Sequence, residues 1–465
     1  MPSGLAARNG GWAGLALLVA ILVLGLGLRV GYAWDGRAPV YDAQAYAAIA
    51  ANLEGGEGFT AGAEATQPSS NYSPGLPLLV AGIYALSGGV NEQAARVVLA
   101  LIGSLAVLFT YLLGRRLGGP LGTRSGLLGA LAVAVYPAFL EYGGMLMSEP
   151  LAATLLSGGV LSLCWAWDPV RAARRDPERA GATIAWPRWL LAGALLGALA
   201  LVRPEYLGVG VLLALVAVVG GLATGPSPER GRLDPRRWLG AGALVLAGMA
   251  IVVVPWTVRN VVALDRAVAI STGGGQVLYA GTYLPSDGDP EKVGAGVVAE
   301  HPDLYGPDAL RRLRLEQILA RLAAATHPEL ETDRALARMG REQLWDDVTG
   351  EPFEYAGFIA TKVGRVWSHG PRDVMRQPLW EALHWALVAA GLLGLGVLLW
   401  RRRWEALLIA TVFGSITAIS ALLVASPRRV LVMVPLLAAC AGFGAIWAWT
   451  QTRKVGPRLV QKRSS

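Results

Sequence analysis

The chain reads as an all-α polytopic membrane protein, and three observations carry that reading. Hydrophobic residues make up 54% of its 465 positions and charged residues only 16%, against about 25% charged in an ordinary soluble protein. Apolar runs recur along the chain, each near the ~20 residues that a helix needs to cross about 30 Å of hydrocarbon. Lys and Arg gather where those runs end, as they do in the cytoplasmic loops of membrane proteins.

The runs predict about ten transmembrane helices, at roughly residues 12–34, 96–114, 124–140, 149–167, 189–203, 206–222, 238–258, 381–400, 404–425 and 430–449. The first is too long for a cleaved signal peptide, and its only upstream charge is Arg8. Cys164 and Cys440 lie inside runs and read as small core residues, with no disulfide framework. The net charge of +8 comes from Arg115-Arg116, Arg171 to Arg179, Arg230 to Arg237, Arg401 to Arg403 and Arg453 to Arg463, all beside runs. That placement implies a bilayer partner and no nucleic acid.

Residues 74–88 are apolar but short, a length typical of re-entrant or interfacial segments. If they do not cross, both termini and all five basic clusters fall on the cytoplasmic side. That side then holds 21 of the 41 Lys and Arg but 6 of the 33 Asp and Glu. The expected organisation is a seven-span module over 1–258 with a juxtamembrane first outer loop at 35–95, a large outer loop at 259–380 between spans 7 and 8, helices over 381–449, and a basic tail at 450–465. Stripes at Leu310, Leu313, Ile318, Leu319 and Leu322, and at Ala356, Ile359, Val363 and Val366, predict amphipathic helices in the large loop.

The residues with chemistry sit on the outer side. Asp42 opens a helix-forming stretch, DAQAYAAIAANL, with Tyr46 one turn later. Two readings of it stand: a helix N-cap, or a catalytic carboxylate that the cap holds in place. Tyr72 lies in the turn NYSPGLP, which serves as punctuation or as a substrate contact. Glu141 and Glu149 bracket a short outer loop, and Glu149 before Pro150 also suits a helix dipole. Arg203, Arg259, Arg428 and Arg429 are the exceptions to the inward bias of Lys and Arg, at the junctions VRPEY, PWTVRN and SPRRVL. An anionic ligand explains them as a group, because the planar guanidinium binds two phosphate oxygens at once. Snorkelling to headgroups explains any one of them. His301, His327, His369 and His384 show no metal spacing, and Asp287-Gly288-Asp289 reads as a surface turn.

In order and spacing these segments resemble the lipid-phosphate-sugar-dependent glycosyltransferases of the GT-C fold, in the bacterial branch with protein mannosyltransferases and aminoarabinose transferases (glycosyltransferase family 39-like). The resemblance rests on Asp42 and Tyr46 followed by ANLEGGEGF and the turn at 72–77, on MSEPL at 147–151, on PWTVRN at 255–260 with ISTGGGQVLYAGTYLPSDG at 270–288, and on SPRRVLVMVPLL at 426–437. It implies a plasma-membrane enzyme with its site on the extracytoplasmic face, moving a hexosyl or pentosyl unit from a polyprenyl-phosphate donor to a hydroxyl of a protein, lipid or glycan. It implies Asp42 and Glu149 as catalytic acids, Arg259, Arg428, Arg429 and Arg203 as donor-phosphate ligands, and Tyr46, Tyr72 and Glu141 as substrate contacts. One basic carboxylate and one displacement imply inversion. Arginines that neutralise a monophosphate leave no need for a metal or other cofactor. Ala43 and Ala45 stand where several relatives carry an acid and an arginine. A transporter of lipid-linked sugars would share the outer arginines, but would be expected to show inverted repeats. Another outer-face polysaccharide-assembly enzyme is the remaining alternative.

Overall fold

The computed structural model describes residues 3–34, 42–61, 67–168, 185–223, 235–306, 308–368 and 370–463. The basic segment 171–179, part of 230–237, and His369 lie outside the described residues. The chain is a multi-pass all-α membrane protein. Among the described residues there is no strand, only one isolated bridge, Thr60 with Pro68.

The first half runs α1 (Ser3–Trp34), α2 (Asp42–Glu54), α3 (Gly75–Leu86), α4 (Glu92–Gly118), α5 (Gly122–Ala134), α6 (Pro137–Gly143), α7 (Ser148–Ala166), α8 (Trp186–Val202), α9 (Tyr206–Ala223) and α10 (Pro235–Leu264). The segment after it forms α11 (Gly274–Thr282), α12 (Pro290–Glu300), α13 (Ala309–Arg312), α14 (Leu315–Thr326), α15 (Thr332–Gly350) and α16 (Pro352–Ser368). Three long apolar helices close the chain: α17 (Pro378–Trp400), α18 (Trp404–Leu422) and α19 (Arg428–Arg463).

Among the described residues seven apolar stretches are long enough to cross a membrane, while α3, α8 and α9 are apolar but shorter. Each predicted run falls largely on helix. Residues 74–88 give the 12-residue α3, roughly 18 Å at 1.5 Å per residue and short of the hydrocarbon thickness.

The run at 124–140 is not continuous. Helix α5 stops at Ala134, and Tyr136 is extended at φ −67°, ψ 114° before α6 restarts at Pro137. Proline lacks an N–H and pushes the residue before it out of the helical region. The carbonyls freed by the break meet Arg29 from α1. Its guanidinium donates to Val133 O (2.9 Å) and Ala134 O (3.1 Å). Arg29 is buried and was not singled out in the sequence.

Helices pack closely where glycines let backbones meet, as is usual in membranes. A Cβ on Gly442 of α19 would lie 2.1 Å from the carbonyl oxygen of Ser125 on α5. At one end of the bundle, Trp167 stacks on Trp404 with ring centroids 4.3 Å apart. Beside them Arg116 bonds both Asp168 (2.6 Å) and the buried Glu405 (3.2 Å), which Arg403 also reaches. Arg115-Arg116 and Arg401 to Arg403 therefore share this end.

Helices α11 to α15 enclose their own core of Tyr279, Val297, Ile318, Leu319, Leu322 and Leu336. The stripe predicted over 309–323 is interrupted, because Leu313 is extended between α13 and α14. In α16 the buried face is Tyr355, Phe358, Lys362 and Val366; Val366 is as predicted, and the other three lie one position before the predicted Ala356, Ile359 and Val363. Lys362 occupies a buried place that apolar patterning skips. Its ammonium donates to Gly281 O at 2.6 Å and lies 4.9 Å from the Phe358 ring. Burial, then the neighbouring Arg429 charge, pulls its pKa down to about 8.

Candidate active site

Three helix N-termini converge at the end opposite the tryptophan cluster. Asp42 is the first residue of α2, Glu149 the second of α7, and Arg428 the first of α19. Asp42 starts where the chain returns from α1. Glu149 is followed by Pro150, which suits a first helical turn. Arg428 follows Pro427, which separates α19 from α18. Each N-terminus presents backbone N–H groups and the positive end of a helix dipole.

Arg428 joins the two acids. Its Nη1 donates to Asp42 Oδ2 at 2.8 Å, and its Nε donates to Glu149 Oε1 at 2.6 Å. The guanidinium also lies 5.8 Å from the centre of the Tyr142 ring. Glu149 is completely buried, and Arg203 Nη2 reaches the same Oε1 at 2.9 Å. A buried carboxylate is costly to desolvate, so its two arginines are what keep it charged. The other oxygen, Glu149 Oε2, meets no hydrogen-bond donor among the described residues.

Arg203 continues the network to Glu205 at 3.2 Å, and Arg429 approaches Glu205 at 3.9 Å. Arg429 also donates to the carbonyl of Val424. Arg203, Arg428 and Arg429 thus face Asp42, Glu149 and Glu205, a set of equal and opposite formal charges.

Tyr46 lies one turn from Asp42, buried, with its ring edge-on to Tyr72 at 5.7 Å between centroids. Burial, then the Asp42 and Glu149 charges, holds its phenol protonated far above the usual tyrosine range. Tyr72 is half-buried. Its turn is tied to the segment after α10, where Thr272 N donates to Ser70 O (2.8 Å) and Thr272 Oγ1 to Asn71 Oδ1 (2.8 Å). A Cβ on Gly75 would lie 2.6 Å from Val202 on α8, beside Arg203. Glycine therefore lets α3 approach the site closely.

Two predicted residues stand apart. Arg259 donates to the carbonyls of Ser69 (2.9 Å) and Phe59 (3.1 Å) and lies over the Trp256 ring at 4.8 Å. Asn260 and Trp256 both bond Ile270 O, at 3.0 and 2.8 Å. PWTVRN thus ties Phe59, Ser69 and residues 268–270 to the end of α10. Glu141 pairs with Arg372 at 2.7 Å, one residue along from Tyr142.

Three participants were not picked out in the sequence. Glu205 lay inside the quoted VRPEY, and its placement two residues from Arg203 was the available signal. Tyr142 follows Glu141. Arg372 had no sequence signal; it sits at φ +82°, a strained backbone for a residue with a Cβ. Asp287 and Asp289 pair with Arg365 at 3.6 and 3.5 Å, and Asp289 caps α12. His384 is set between Tyr136 Oη (2.9 Å) and Trp367 O (3.1 Å). Among the described residues no three His, Cys, Asp or Glu side chains gather as metal ligands would.

No protein-family model matches the sequence. No curated protein matches it either. Solved structures do. The archaeal oligosaccharyltransferase AglB from Archaeoglobus fulgidus, in complex with an inhibitory peptide and a dolichol-phosphate, superposes with a TM-score of 0.57 at 16% identity, over 98% of this chain and 52% of that one. The apo form of the Archaeoglobus fulgidus oligosaccharyltransferase gives 0.56 at 16% identity, over 96% and 52%. This chain therefore spans about half the length of those enzymes. ArnT from Cupriavidus metallidurans bound to undecaprenyl phosphate gives 0.40 at 16% identity, over 97% of this chain and 81% of that one. The order of apolar helices, the short α2 and α3 after the first of them, and the likeness to the oligosaccharyltransferase give the chain a GT-C-like fold.

Proposed function

We propose that the chain is a membrane glycosyltransferase that takes a monosaccharide from a polyprenyl-phosphate donor and places it on an acceptor hydroxyl at the extracytoplasmic face. The observation that carries this reading is Arg428 shared between Asp42 and Glu149. The dolichol-phosphate held by the similarly folded oligosaccharyltransferase supports a lipid-phosphate ligand.

The charge balance supports a sequence of events. Three arginines already face three carboxylates, so an arriving phosphate competes for Arg428. Asp42 is the partner to yield, because its side chain is 38% exposed while that of Glu149 is wholly buried. Arg428 then turns to the phosphate, and Asp42 is released as a base. Glu149 keeps Arg203 and Arg428 in place, and Arg429 adds charge from the side.

In the transfer the acceptor oxygen forms a bond to the anomeric carbon from the face opposite the phosphate. The bond from that carbon to the phosphate oxygen breaks, and its electron pair leaves with the lipid phosphate. The hydroxyl proton passes to Asp42. General-base help of this kind is worth about 10²–10⁴ in rate. Arg428 and the helix N-termini stabilise the charge that grows on the leaving oxygen. The configuration inverts. Tyr46 and Tyr72 form an aromatic wall beside Asp42, and Arg259 shapes the loop that carries Tyr72.

The test is sugar release from labelled polyprenyl-phosphate monosaccharides by purified protein in nanodiscs, wild type against Asp42→Asn. Release by the wild type alone supports the reading. Labelled lipid that crosses the bilayer without release would replace it with transport.

A further inference from the structure

Two residues that carry a Cβ hold left-handed backbone next to the site. Arg372 is at φ +82°, ψ 150°, a region that only glycine enters without strain. Leu146 is at φ +50° and fully buried, where a leucine is a genuine outlier. Both are tied to the short helix α6. Leu146 lies in residues 144–147, which lead from α6 to α7 and Glu149. Arg372 lies in residues 370–377, which lead into α17.

Helix α6 has seven residues, too few to stand without neighbours. Contacts at both of its ends fix it. At its start, Tyr136 Oη is 2.9 Å from His384 Nδ1 on α17. A Cβ on Gly370 would lie 2.8 Å from that same Oη, so glycine lets residues 370–377 approach α6 closely. Toward its end, Arg372 Nε donates to Glu141 Oε2 at 2.7 Å. The next residue, Tyr142, has its ring centre 5.8 Å from the Arg428 guanidinium.

The Arg372–Glu141 pair is partly open to solvent, its side chains 33% and 18% exposed. A pair of that kind contributes less than such a backbone costs. Stability therefore does not account for an arginine at this position. What the guanidinium supplies, and glycine could not, is a hold on the end of α6.

We propose that Arg372 is a positioning residue for the donor site. Through Glu141 it fixes the end of α6, which keeps the Tyr142 ring against Arg428 and sets where residues 144–147 deliver Glu149. Arg372 acts through α6 and not on the phosphate. The proposal rests on the reading that Arg428 receives the phosphate of a polyprenyl-phosphate donor.

The test is the affinity of full-length protein in nanodiscs for polyprenyl phosphate, with the thermal midpoint measured alongside. Arg372→Gly removes the guanidinium and the strain together. Its affinity is expected to fall roughly three- to tenfold, the worth of one cation–π contact, with the midpoint unchanged or higher. Glu141→Ala is expected to weaken binding by the same factor, and the double variant no further, because the two residues act as one unit. Arg376→Gln removes another charge from the same segment, 3.8 Å from Asp373, and is expected to leave affinity unchanged. Full affinity in Arg372→Gly with a lowered midpoint would reduce the pair to a structural tie. Full affinity in Glu141→Ala with a loss in Arg372→Gly would mean that Arg372 meets the phosphate itself, and would overturn the proposal. So would an equal loss in Arg376→Gln. Wild type that binds polyprenyl phosphate but releases no sugar from the labelled donors would end the glycosyltransferase reading and leave the role of Arg372 to these variants. Wild type that binds no polyprenyl phosphate would end both.

Discussion

Arg428 and Asp42 are 386 residues apart in sequence and 2.8 Å apart in space. The segment after the first apolar helix and the last apolar helix thus meet in one ion pair. That pair makes Asp42 the first group to examine. Asp42→Asn keeps the size and loses both the charge and the basicity. Transfer is expected to fall by at least about 10²-fold, with unchanged expression and thermal midpoint, as checked by product assay and unfolding in detergent. Near-normal turnover would leave Asp42 as the start of α2 and nothing more.

Glu149 has a different task. It is wholly buried and holds two arginines through one oxygen. Replacement by Gln leaves Arg428 with Asp42 and Arg203 with Glu205, but removes the buried charge that the two arginines share, at a cost of up to about 3–5 kcal/mol. A clear drop in the thermal midpoint is therefore expected even without substrate. A variant as stable as the wild type would show that Glu205 and Asp42 suffice to hold Arg203 and Arg428.

The arginines are expected to differ. Arg428→Ala removes the group shared by both acids, and the donor KM is expected to rise roughly tenfold or more. Arg429→Ala is expected to act more weakly, because its side chain is turned toward Glu205 and Val424 O. Steady-state kinetics with donor and acceptor varied separately would check the order. An acceptor KM that moved instead would exchange the two subsites.

Arg259 is expected to behave as a loop anchor. Arg259→Ala unties the carbonyls of Phe59 and Ser69, so limited proteolysis should cut faster between residues 55 and 70. If the variant raises donor KM while proteolysis is unchanged, Arg259 belongs with the phosphate ligands.

Lys362 supplies a pH dependence. Burial, then the Arg429 charge, lowers its pKa from the ordinary lysine value of 10.5 to about 8 in the folded chain. Between those values the unfolded chain holds the extra proton, so this group's contribution to stability rises with pH across that window and is lost as pH falls through about 8. Lys362→Met removes the term. The thermal midpoint of the wild type minus that of the variant should increase from pH 7 to pH 10. A flat difference would mean that Lys362 is charged throughout.

Much of the fold was legible because hydrocarbon thickness dictates the length of each apolar run. The break at Tyr136 was less so, since Pro137 in a membrane helix can kink it or stop it, and Arg29 decides only through a contact from another helix. Lys362 shows the limit of hydrophobic patterning, because a long alkyl stem fills a buried place that the code counts as polar. In the fold Asp42, Glu149, Arg203, Arg428 and Arg429, each near a helix end, come together. Arg259 carried the same signal, a charge at an outer helix end, yet bonds carbonyls. Sequence position shows where a guanidinium starts, and only the fold shows which oxygens it meets. Glu205 pairs with its near neighbour Arg203 and with the distant Arg429, while Arg372 joins from a strained backbone position 231 residues from Glu141.

Arg29 has a consequence for biosynthesis. Its acceptor carbonyls lie 104 and 105 residues further along the chain. While the ribosome makes the intervening segment, the guanidinium has only Gly25 O of its own helix to bond, at 3.0 Å. That end of the helix is expected to wait near the headgroups, and to settle when α5 arrives with its broken end. The last step of insertion for the first helix is therefore timed by the synthesis of another, and a chain stalled before residue 133 would leave its anchor only partly seated.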